Sequence, residues 1–154
     1  EHGLGLNDIQ EVIAEMGPFP GAKEFVEWLR THFQLIILSD TFYDFAHPLM
    51  QQLGWPTLFC HKLETDENGM ITAYKLRQPD QKRQAVKALH GLNFRVIAAG
   101  DSYNDTTMLG EADHGFLFDA PENVIAEFPL FPPLHGYDAL KQAIRSVSQR
   151  NIPE

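Results

Sequence analysis

Two short polar clusters carry residues that could bind phosphate and a divalent cation. Ser39-Asp40-Thr41 directly follows one apolar run, and Asp101-Ser102-Tyr103-Asn104-Asp105 follows a second one and a glycine. Carboxylates four residues apart in a tight turn, such as Asp101 and Asp105, offer the hard oxygen ligands that Mg²⁺ prefers. A lone aspartate at this place would be interpreted as the cap of the next helix. The whole Gly-Asp-x-x-Asn-Asp string favours a metal site instead.

The apolar runs before the two clusters have the pattern of strands in a parallel sheet. Leu35-Ile36-Ile37-Leu38 and Arg95-Val96-Ile97-Ala98-Ala99 are nearly continuous in apolar residues, which is typical of strands buried on both faces. Amphipathic helices alternate with them, so the pattern predicts an α/β fold with a parallel sheet flanked by helices. Ligands in such folds bind beyond the carboxyl ends of the strands. We therefore expect both clusters at the same edge of the sheet.

A β-hairpin is predicted to interrupt this alternation. Segments 57–63 and 70–76 have an extended pattern, and Asn68-Gly69 between them is a strong turn signal. The Pro-rich stretch 129–133 is predicted to be a loop, and Pro121 the first residue of a helix.

The composition excludes several classes of function. The chain has 154 residues, 44% of them hydrophobic, which is enough for an ordinary buried core. A formal net charge of −9 disfavours nucleic acid and anionic membrane as partners. No apolar run approaches the length of a membrane helix. The single cysteine, Cys60, cannot form an internal disulfide and favours a reducing cytoplasm.

The polar clusters resemble motifs of a known superfamily. Ser39 after a strand, a lysine at a helix start and the string 100–105 resemble the second, third and fourth motifs of the haloacid dehalogenase (HAD) superfamily. Ser39-Asp40-Thr41-Phe42 stands where phosphoserine phosphatases typically carry Ser-Gly-Gly-Phe. This departure, with similarity at Arg77-Gln78 and 120–125, resembles the branch of bifunctional phosphoserine phosphatases and homoserine phosphotransferases. The resemblance implies a Rossmann-like core and a role in amino-acid biosynthesis.

The same resemblance implies a mechanism and a metal. The substrate would be a small phosphorylated amino acid, attacked by an aspartate to give an aspartyl-phosphate, with Mg²⁺ as cofactor. Asp101 would bind the Mg²⁺ directly, and Asp105 would bind it through water or orient the lysine. Asn104 would position the substrate or a metal-bound water.

Phosphate binding is assigned to the first cluster and the lysine. Ser39 would donate a hydrogen bond to a phosphoryl oxygen, within the phosphate-binding segment that also contains Asp40 and Thr41. Lys82, near a predicted helix start, fits the position of the family's lysine, and Lys87 in the same helix is its rival.

The family's first motif, Asp-x-Asp or Asp-x-Glu after an apolar strand, is not found in the sequence. Asp40 follows such a strand, but Phe42 occupies the place of the second acid. We therefore expect an N-terminal truncation: residues 1–17 as the tail of a helical cap and 18–154 as a core lacking its central first strand. Such a chain alone should be inactive. The resulting gap leaves strand edges unpaired, which favours aggregation or pairing with a second copy in a homodimer.

Two other functions stay open on the sequence alone. Because cap residues choose the substrate in this family, the protein could be a phosphatase for another small phosphomonoester. Outside the enzymes, a receiver-like module that binds phosphate or Mg²⁺ would also combine carboxylates, a hydroxyl and a lysine on a parallel sheet. The late position of the Gly-Asp-x-x-Asn-Asp turn disfavours a receiver, whose acidic pair comes early.

Overall fold

The computed structural model describes residues 6–149 and Ile152, so the first five residues of the predicted cap segment lie outside the described part. The chain divides into two compact units, Glu1–Pro79 and Asp80–Glu154. Each unit has its own three-stranded sheet. The predicted boundary between a cap segment at 1–17 and a core at 18–154 stays a prediction.

The first unit consists of helices packed against a mixed sheet of order β1-β2-β3. Strands β1 and β2 pair in parallel, and β2 and β3 pair antiparallel. Its apolar core is centred on helix α3 and includes Val26, Met50 and Leu53. In chain order, the elements are α1 (Leu6–Met16), α2 (Ala22–His32), β1 (Ile36–Phe42), α3 (Tyr43–Gln52), β2 (Thr57–Thr65) and β3 (Ile71–Lys75).

The predicted hairpin is confirmed as the β2–β3 pair. One oxygen of the Asp66 carboxylate, Oδ1, accepts hydrogen bonds from the backbone N–H groups of Asn68 and Met70, each at 2.9 Å. Gly69 has a φ of +76°, a left-handed conformation that a residue without Cβ adopts at little cost. The Asn-Gly signal therefore marks the turn for the expected physical reason.

The second unit has a fully parallel sheet of order β4-β5-β6. Leu117 in the central strand and Leu109 in the helix before it are among its most deeply buried side chains. Its elements are α4 (Gln81–Gly91), β4 (Ile97–Gly100), a 3₁₀ turn (Tyr103–Asp105), α5 (Thr106–Glu111), β5 (His114–Phe118), α6 (Glu122–Glu127), β6 (Pro133–Leu134) and α7 (Gly136–Val147).

Several local expectations were wrong. Strand β1 continues through the first polar cluster to Phe42, with an irregular register between Leu38 and Phe42. The apolar residues of β1 are half-buried rather than buried, since β1 lies at the edge of its sheet. Pro121 precedes helix α6 as its cap residue. The Pro-rich loop ends in β6, where Pro133 is tolerated because it lies in an edge strand.

The α/β class with parallel strands and flanking helices is confirmed. Both strands that lead into the polar clusters, β1 and β4, are the terminal strands of their own sheets. None of the helices within 6–149 is both long enough and apolar enough to cross a membrane.

Candidate active site

The acidic turn of the second unit begins where β4 ends. Gly100 is the last residue of the strand, and the 3₁₀ turn Tyr103–Asp105 leads directly into α5. The side chains of Asp101 and Asn104 are exposed, whereas Asp105 is buried. The turn therefore presents one carboxylate and one amide to solvent and directs the other carboxylate inward.

The buried Asp105 carboxylate forms an ion pair with Lys82. Lys82 Nζ donates to Asp105 Oδ1 at 2.8 Å, and the two residues are only 8% and 5% exposed. The other carboxylate oxygen, Oδ2, accepts from Asp101 N at 3.0 Å, and from Ser102 N and Ser102 Oγ at 3.1 and 3.0 Å. Burial alone would raise the pKa of Asp105, but the Lys82 ammonium and the Ser102 donors lower it below its ordinary value. Asp105 is thus held as an anion that fixes Lys82.

A glycine is needed beside this carboxylate. A Cβ at position 100 would lie 2.5 Å from both Cβ and Cγ of Asp105, which is far inside van der Waals contact. The end of β4 therefore has to be glycine for Asp105 to fold back over it. This close approach gives a steric reason for the glycine that begins the Gly-Asp-x-x-Asn-Asp string.

The second unit carries four of the predicted site residues. Lys82, Asp101 and Asp105 are linked by hydrogen bonds, and Asn104 lies in the same turn. Lys87, the rival of Lys82, is exposed on the same helix. The contacts of Asp105 are those of its second predicted role, orienting the lysine. Their catalytic roles stay predictions.

The donor set of the turn can be compared with what a magnesium ion requires. Within 6–149 and at 152, no cluster of three or more His, Cys, Asp or Glu side chains could hold a metal ion. Mg²⁺ sites in phosphoryl-transfer proteins commonly use one or two carboxylates, with substrate phosphate and waters as the other ligands. The exposed Asp101, near Asn104 in the same turn, fits such a site.

Tyr103 connects the acidic turn to helix α6. Its hydroxyl donates to Glu127 Oε2 at 2.8 Å, and Asn123 Nδ2 donates to the hydroxyl oxygen at 3.3 Å. The hydrogen bond to Glu127 raises the pKa of Tyr103. The Tyr103 ring also packs edge-on against Phe128, with centroids 5.8 Å apart. Glu127 was not predicted as part of the site, because nothing in the sequence around it distinguishes it from the other acidic residues of the chain.

The first unit positions Ser39, Asp40 and Thr41 at the irregular end of β1. Ser39 Oγ accepts a hydrogen bond from Thr41 N at 3.3 Å, within the stretch where the register of β1 is irregular. Asp40 is exposed, and its Oδ1 lies 3.8 Å from Nε2 of the buried His61.

His61 is itself held by Arg77, the first half of the Arg77-Gln78 pair. The backbone N–H of Arg77 donates to His61 Nδ1 at 3.1 Å. Since Nδ1 is the acceptor, a neutral His61 carries its proton on Nε2, the atom that faces Asp40. No signal along the chain indicated this contact, because His61 lacks any ligand-like spacing and its partner is 16 residues away.

The Arg77 side chain lies over aromatic rings beside the same strand. Its Nε donates to the Cys60 carbonyl at 3.1 Å, and its Nη2 donates to the Tyr43 hydroxyl. The guanidinium carbon is 5.1 Å from the Phe59 ring centroid and 5.8 Å from that of Tyr43. Tyr43 in turn donates to the Leu58 carbonyl at 2.9 Å.

Cys60 lies on β2 between Phe59 and His61. It is 1% exposed, and its Sγ lies 3.7 Å from the His61 carbonyl oxygen, which it contacts as a donor. Burial raises the pKa of the Cys60 thiol to about 11, against a smaller opposite effect of Arg77. The thiol is therefore protonated at neutral pH, and a protonated thiol is a poor nucleophile.

Residues 4–113 match the family model described as haloacid dehalogenase-like hydrolase. The chain belongs to this family of hydrolytic enzymes, as the polar clusters suggested. It is similar to the phosphoserine phosphatase ThrH of Pseudomonas aeruginosa, at 62% identity over 99% of this chain and 74% of the relative. It is also 60% identical to a phosphoserine phosphatase of Pseudomonas syringae pv. tomato, over 99% of this chain and 64% of that relative.

Solved structures support the fold. A phospho-aspartyl intermediate analogue of phosphoserine phosphatase matches 94% of this chain and 71% of that chain, with a TM-score of 0.74 and 16% identity. Phosphoserine phosphatase in its apo form matches 95% of this chain and 74% of that one, also with a TM-score of 0.74, at 18% identity. At these identities the likeness concerns the fold alone.

Proposed function

We propose that this chain is part of a phosphoserine phosphatase that also transfers the phosphoryl group to homoserine. The observation that carries the proposal is the buried Lys82–Asp105 pair beside the exposed Asp101. This arrangement supplies a fixed cation and an exposed carboxylate next to each other. The 62% identity to a relative named phosphoserine phosphatase ThrH supports the choice of substrate.

In this proposal the chain supplies the groups that bind the phosphoryl group. Lys82, fixed by Asp105, and Ser39 donate to phosphoryl oxygens, and these hydrogen bonds strengthen as negative charge develops. Asp40 and Thr41 shape the segment that carries Ser39. Asp101 would hold Mg²⁺, with Asn104 in the same turn. When bound, the ion would offset the repulsion between an anionic nucleophile and the phosphate.

The nucleophile of the proposed reaction is an aspartate that forms an aspartyl-phosphate. One of the solved structures with this fold is named as an analogue of such an intermediate. No Asp-x-Asp or Asp-x-Glu string occurs in these 154 residues. The proposal therefore predicts that the 154-residue chain, assayed alone, releases no phosphate from phosphoserine above an Asp101→Asn control. Turnover above that control would assign the nucleophile to an aspartate of this chain, with Asp40 as the first candidate.

The main test uses the protein expressed from its complete gene, with Mg²⁺ and phosphoserine, and measures released phosphate. Asp101→Asn should abolish the Mg²⁺-dependent turnover. Ser39→Ala should lower it roughly tenfold or more, because a lost hydrogen bond to a charged group costs on the order of 1.5–3 kcal/mol. Near-normal activity of Asp101→Asn would contradict the proposal.

A pair of lysine variants tests the role of Lys82. Lys82→Met should strongly reduce phosphate release, whereas Lys87→Met, an equal loss of charge on the exposed side of the same helix, should leave it near normal. The reverse result would move the role to Lys87.

An assay in the presence of homoserine distinguishes a phosphotransferase from a plain phosphatase. Labelled phosphoserine incubated with homoserine should yield labelled phosphohomoserine. Hydrolysis without transfer would leave a plain phosphatase. Hydrolysis of other phosphomonoesters but not phosphoserine would favour a different small substrate, and binding of phosphate without any turnover would favour a receiver-like module.

The proposal extends to partners and location. We expect a small phosphorylated amino acid as the ligand and neither nucleic acid nor membrane as a partner, on the ground of the net charge of −9. A homodimer and a reducing cytoplasmic location are part of the same proposal.

A further inference from the structure

Asp80, the residue before helix α4, has an unusual backbone conformation. Its φ of 49° and ψ of 45° lie in the left-handed region, which costs free energy for residues with a Cβ and is tolerated best by asparagine and aspartate. An aspartate before a helix usually accepts a hydrogen bond from the first turn of that helix. Within α4, all of which the structure describes, no backbone N–H donates to the Asp80 carboxylate as a cap. Capping of α4 therefore does not explain this side chain.

The Asp80 carboxylate binds the neighbouring helix instead. Thr107 Oγ1, in α5, donates to Asp80 Oδ1 at 2.8 Å. The other carboxylate oxygen, Oδ2, lies 4.0 Å from Nη1 of Arg83, and Arg83 Nε donates to Glu111 of α5 at 2.8 Å. The start of α4 is thus connected to α5 by exposed and half-exposed polar side chains.

These contacts lie beside the buried ion pair of the candidate site. Lys82 is two positions after Asp80, and Thr107 is two positions after Asp105. The same two segments of chain are therefore joined twice, by the Thr107–Asp80 hydrogen bond and by the Lys82–Asp105 pair, each at 2.8 Å. One link fixes the distance between two atoms, whereas two links also fix the direction in which the helix leaves the turn.

We propose that Asp80 is a positioning residue for Lys82 and acts through its hydrogen bond with Thr107. This inference rests on the proposed function, in which Lys82 donates to the phosphoryl group. A bound phosphate competes with Asp105 for the donors of the Lys82 ammonium. A second link that the ligand does not touch keeps the start of α4 in place during that exchange, and the left-handed backbone of Asp80 is the local cost of this link.

The experiment compares substitutions of Asp80 that differ in hydrogen bonding, in the protein expressed from its complete gene with Mg²⁺ and phosphoserine. Asp80→Asn keeps both the tolerance of a left-handed backbone and an oxygen acceptor for Thr107. It should retain the KM for phosphoserine and the inhibition constant of inorganic phosphate. Asp80→Gly loses the acceptor and should raise both constants about three- to tenfold. An equal rise in Asp80→Asn would overturn the inference, because the hydrogen bond would then not be the cause.

Stability separates positioning from a purely structural role. Asp80→Ala lacks the same hydrogen bond as Asp80→Gly but keeps a Cβ in the left-handed region, so it should be the less stable variant in urea denaturation. Positioning predicts that phosphate binding is weakened equally in both variants. Phosphate binding that follows stability instead, with Asp80→Gly near normal, would overturn the inference.

Substitutions of Thr107 test the same hydrogen bond from its other side. Thr107→Val keeps the shape and removes the hydroxyl, so it should reproduce the effect of Asp80→Gly, whereas Thr107→Ser should behave like the unsubstituted protein. The effects of Asp80→Gly and Thr107→Val should not add in the double variant, since each removes the same bond. Additive effects, or an unchanged KM in Thr107→Val, would overturn the inference.

Two matched controls lie away from this contact. Asp138→Ala removes an exposed carboxylate from the first turn of α7. Thr31→Val removes an exposed hydroxyl whose hydrogen bond stays within its own helix, α2. Both should leave the KM for phosphoserine and the inhibition by phosphate unchanged.

A failure of the proposed function can be told apart from a failure of this inference. If the unsubstituted protein does not turn over phosphoserine, the proposed function is wrong. Acetylation by acetic anhydride, followed by peptide mass spectrometry, then tests the position of Lys82, which is 8% exposed, against the exposed Lys87 of the same helix. Relative to Lys87, Lys82 should react several-fold faster in Asp80→Gly and Thr107→Val than in Asp80→Asn. Equal relative rates in all three variants would overturn the inference.

Discussion

The two units of the chain hold their charged side chains in opposite ways. In the second unit, Lys82 and Asp105 are both buried and bonded to each other at 2.8 Å. In the first unit, the side chains of Asp40 and Arg77 are both exposed, and the Asp40 carboxylate and the Arg77 backbone N–H contact opposite nitrogens of the buried His61 ring. The first arrangement fixes a cation at the cost of desolvating two charges. The second keeps its charges in water, where a ligand can reach them.

This difference predicts different consequences of substitution. A buried ion pair becomes strongly destabilising when one partner is removed, since the other is left as an uncompensated charge. An exposed charge contributes little to stability, because water replaces its partner. We therefore expect substitution of the buried pair in the second unit to lower the free energy of unfolding much more than substitution of the exposed Arg77 in the first unit.

The largest effect is expected for Asp105→Asn. It removes the counter-charge of a buried lysine and should lower the free energy of unfolding by about 3–5 kcal/mol, measured by urea denaturation at neutral pH. The amide oxygen introduced by the substitution could still accept the hydrogen bonds from the backbone of Asp101 and Ser102. Adding Lys82→Met should therefore recover part of the loss. A double variant no more stable than Asp105→Asn would show that the charge imbalance is not the cause.

The pH dependence of the free energy of unfolding should also reveal the Lys82–Asp105 pair. The pKa of Asp105 is lower in the folded protein than its ordinary value, which is about 3.9 in an unfolded chain. Its contribution to stability is therefore complete at pH values above about 5, and it is lost as the pH falls through the folded pKa, below about 3.9. Urea titrations at a series of pH values should show the gap between the unsubstituted protein and Asp105→Asn narrowing only in acid. A constant gap down to low pH would contradict this assignment.

An intermediate effect is expected for Gly100→Ala. The added methyl would meet the Asp105 side chain at 2.5 Å, and overpacking of this kind costs typically about 1–3 kcal/mol. Gly69→Ala in the first unit is the comparison, because nothing lies within 4 Å of its Cβ position and only its φ of +76° opposes the change. Thermal unfolding of both variants should separate a steric cost from a conformational cost. Because asparagine keeps the Cβ and Cγ atoms that the new methyl group would meet, Gly100→Ala should cost about as much stability in the Asp105→Asn background as in the unsubstituted protein.

The smallest change in stability is expected for Arg77→Met. Its hydrogen bonds and ring contacts are at the surface, so the free energy of unfolding should fall by no more than about 1 kcal/mol. Lys75→Met provides the baseline for loss of one exposed positive charge. A large drop for Arg77→Met, comparable with that of Asp105→Asn, would break the contrast between the two units.

The sequence predicted those features of the fold that depend on residues adjacent in the chain. Asn68-Gly69 predicted the hairpin because the turn itself needs a left-handed residue. The apolar runs before Ser39 and Asp101 predicted strands, and both strands are present, although β1 runs on past Ser39. The Lys82–Asp105 contact agrees with the order of motifs, although periodicity alone left Lys87 as a rival.

The sequence could not show contacts between distant side chains. His61, Arg77 and Tyr43 meet because β2, the end of the hairpin and helix α3 pack together, and no spacing along the chain encodes that meeting. The course of β1 past Ser39 was missed for a related reason. Polar residues normally end a buried run, but an edge strand tolerates them because one side of it is not covered.

Chemical labelling of Cys60 can report local unfolding of the first unit. It is the single cysteine of these 154 residues, it is 1% exposed, and its pKa is raised to about 11. At neutral pH such a thiol reacts with alkylating reagents only from states in which β2 has come away from its neighbours. The rate of labelling therefore reports the opening free energy of the strand that carries His61. A ligand that binds only the closed form of the first unit should slow that labelling, so the reaction of Cys60 can detect binding without any turnover.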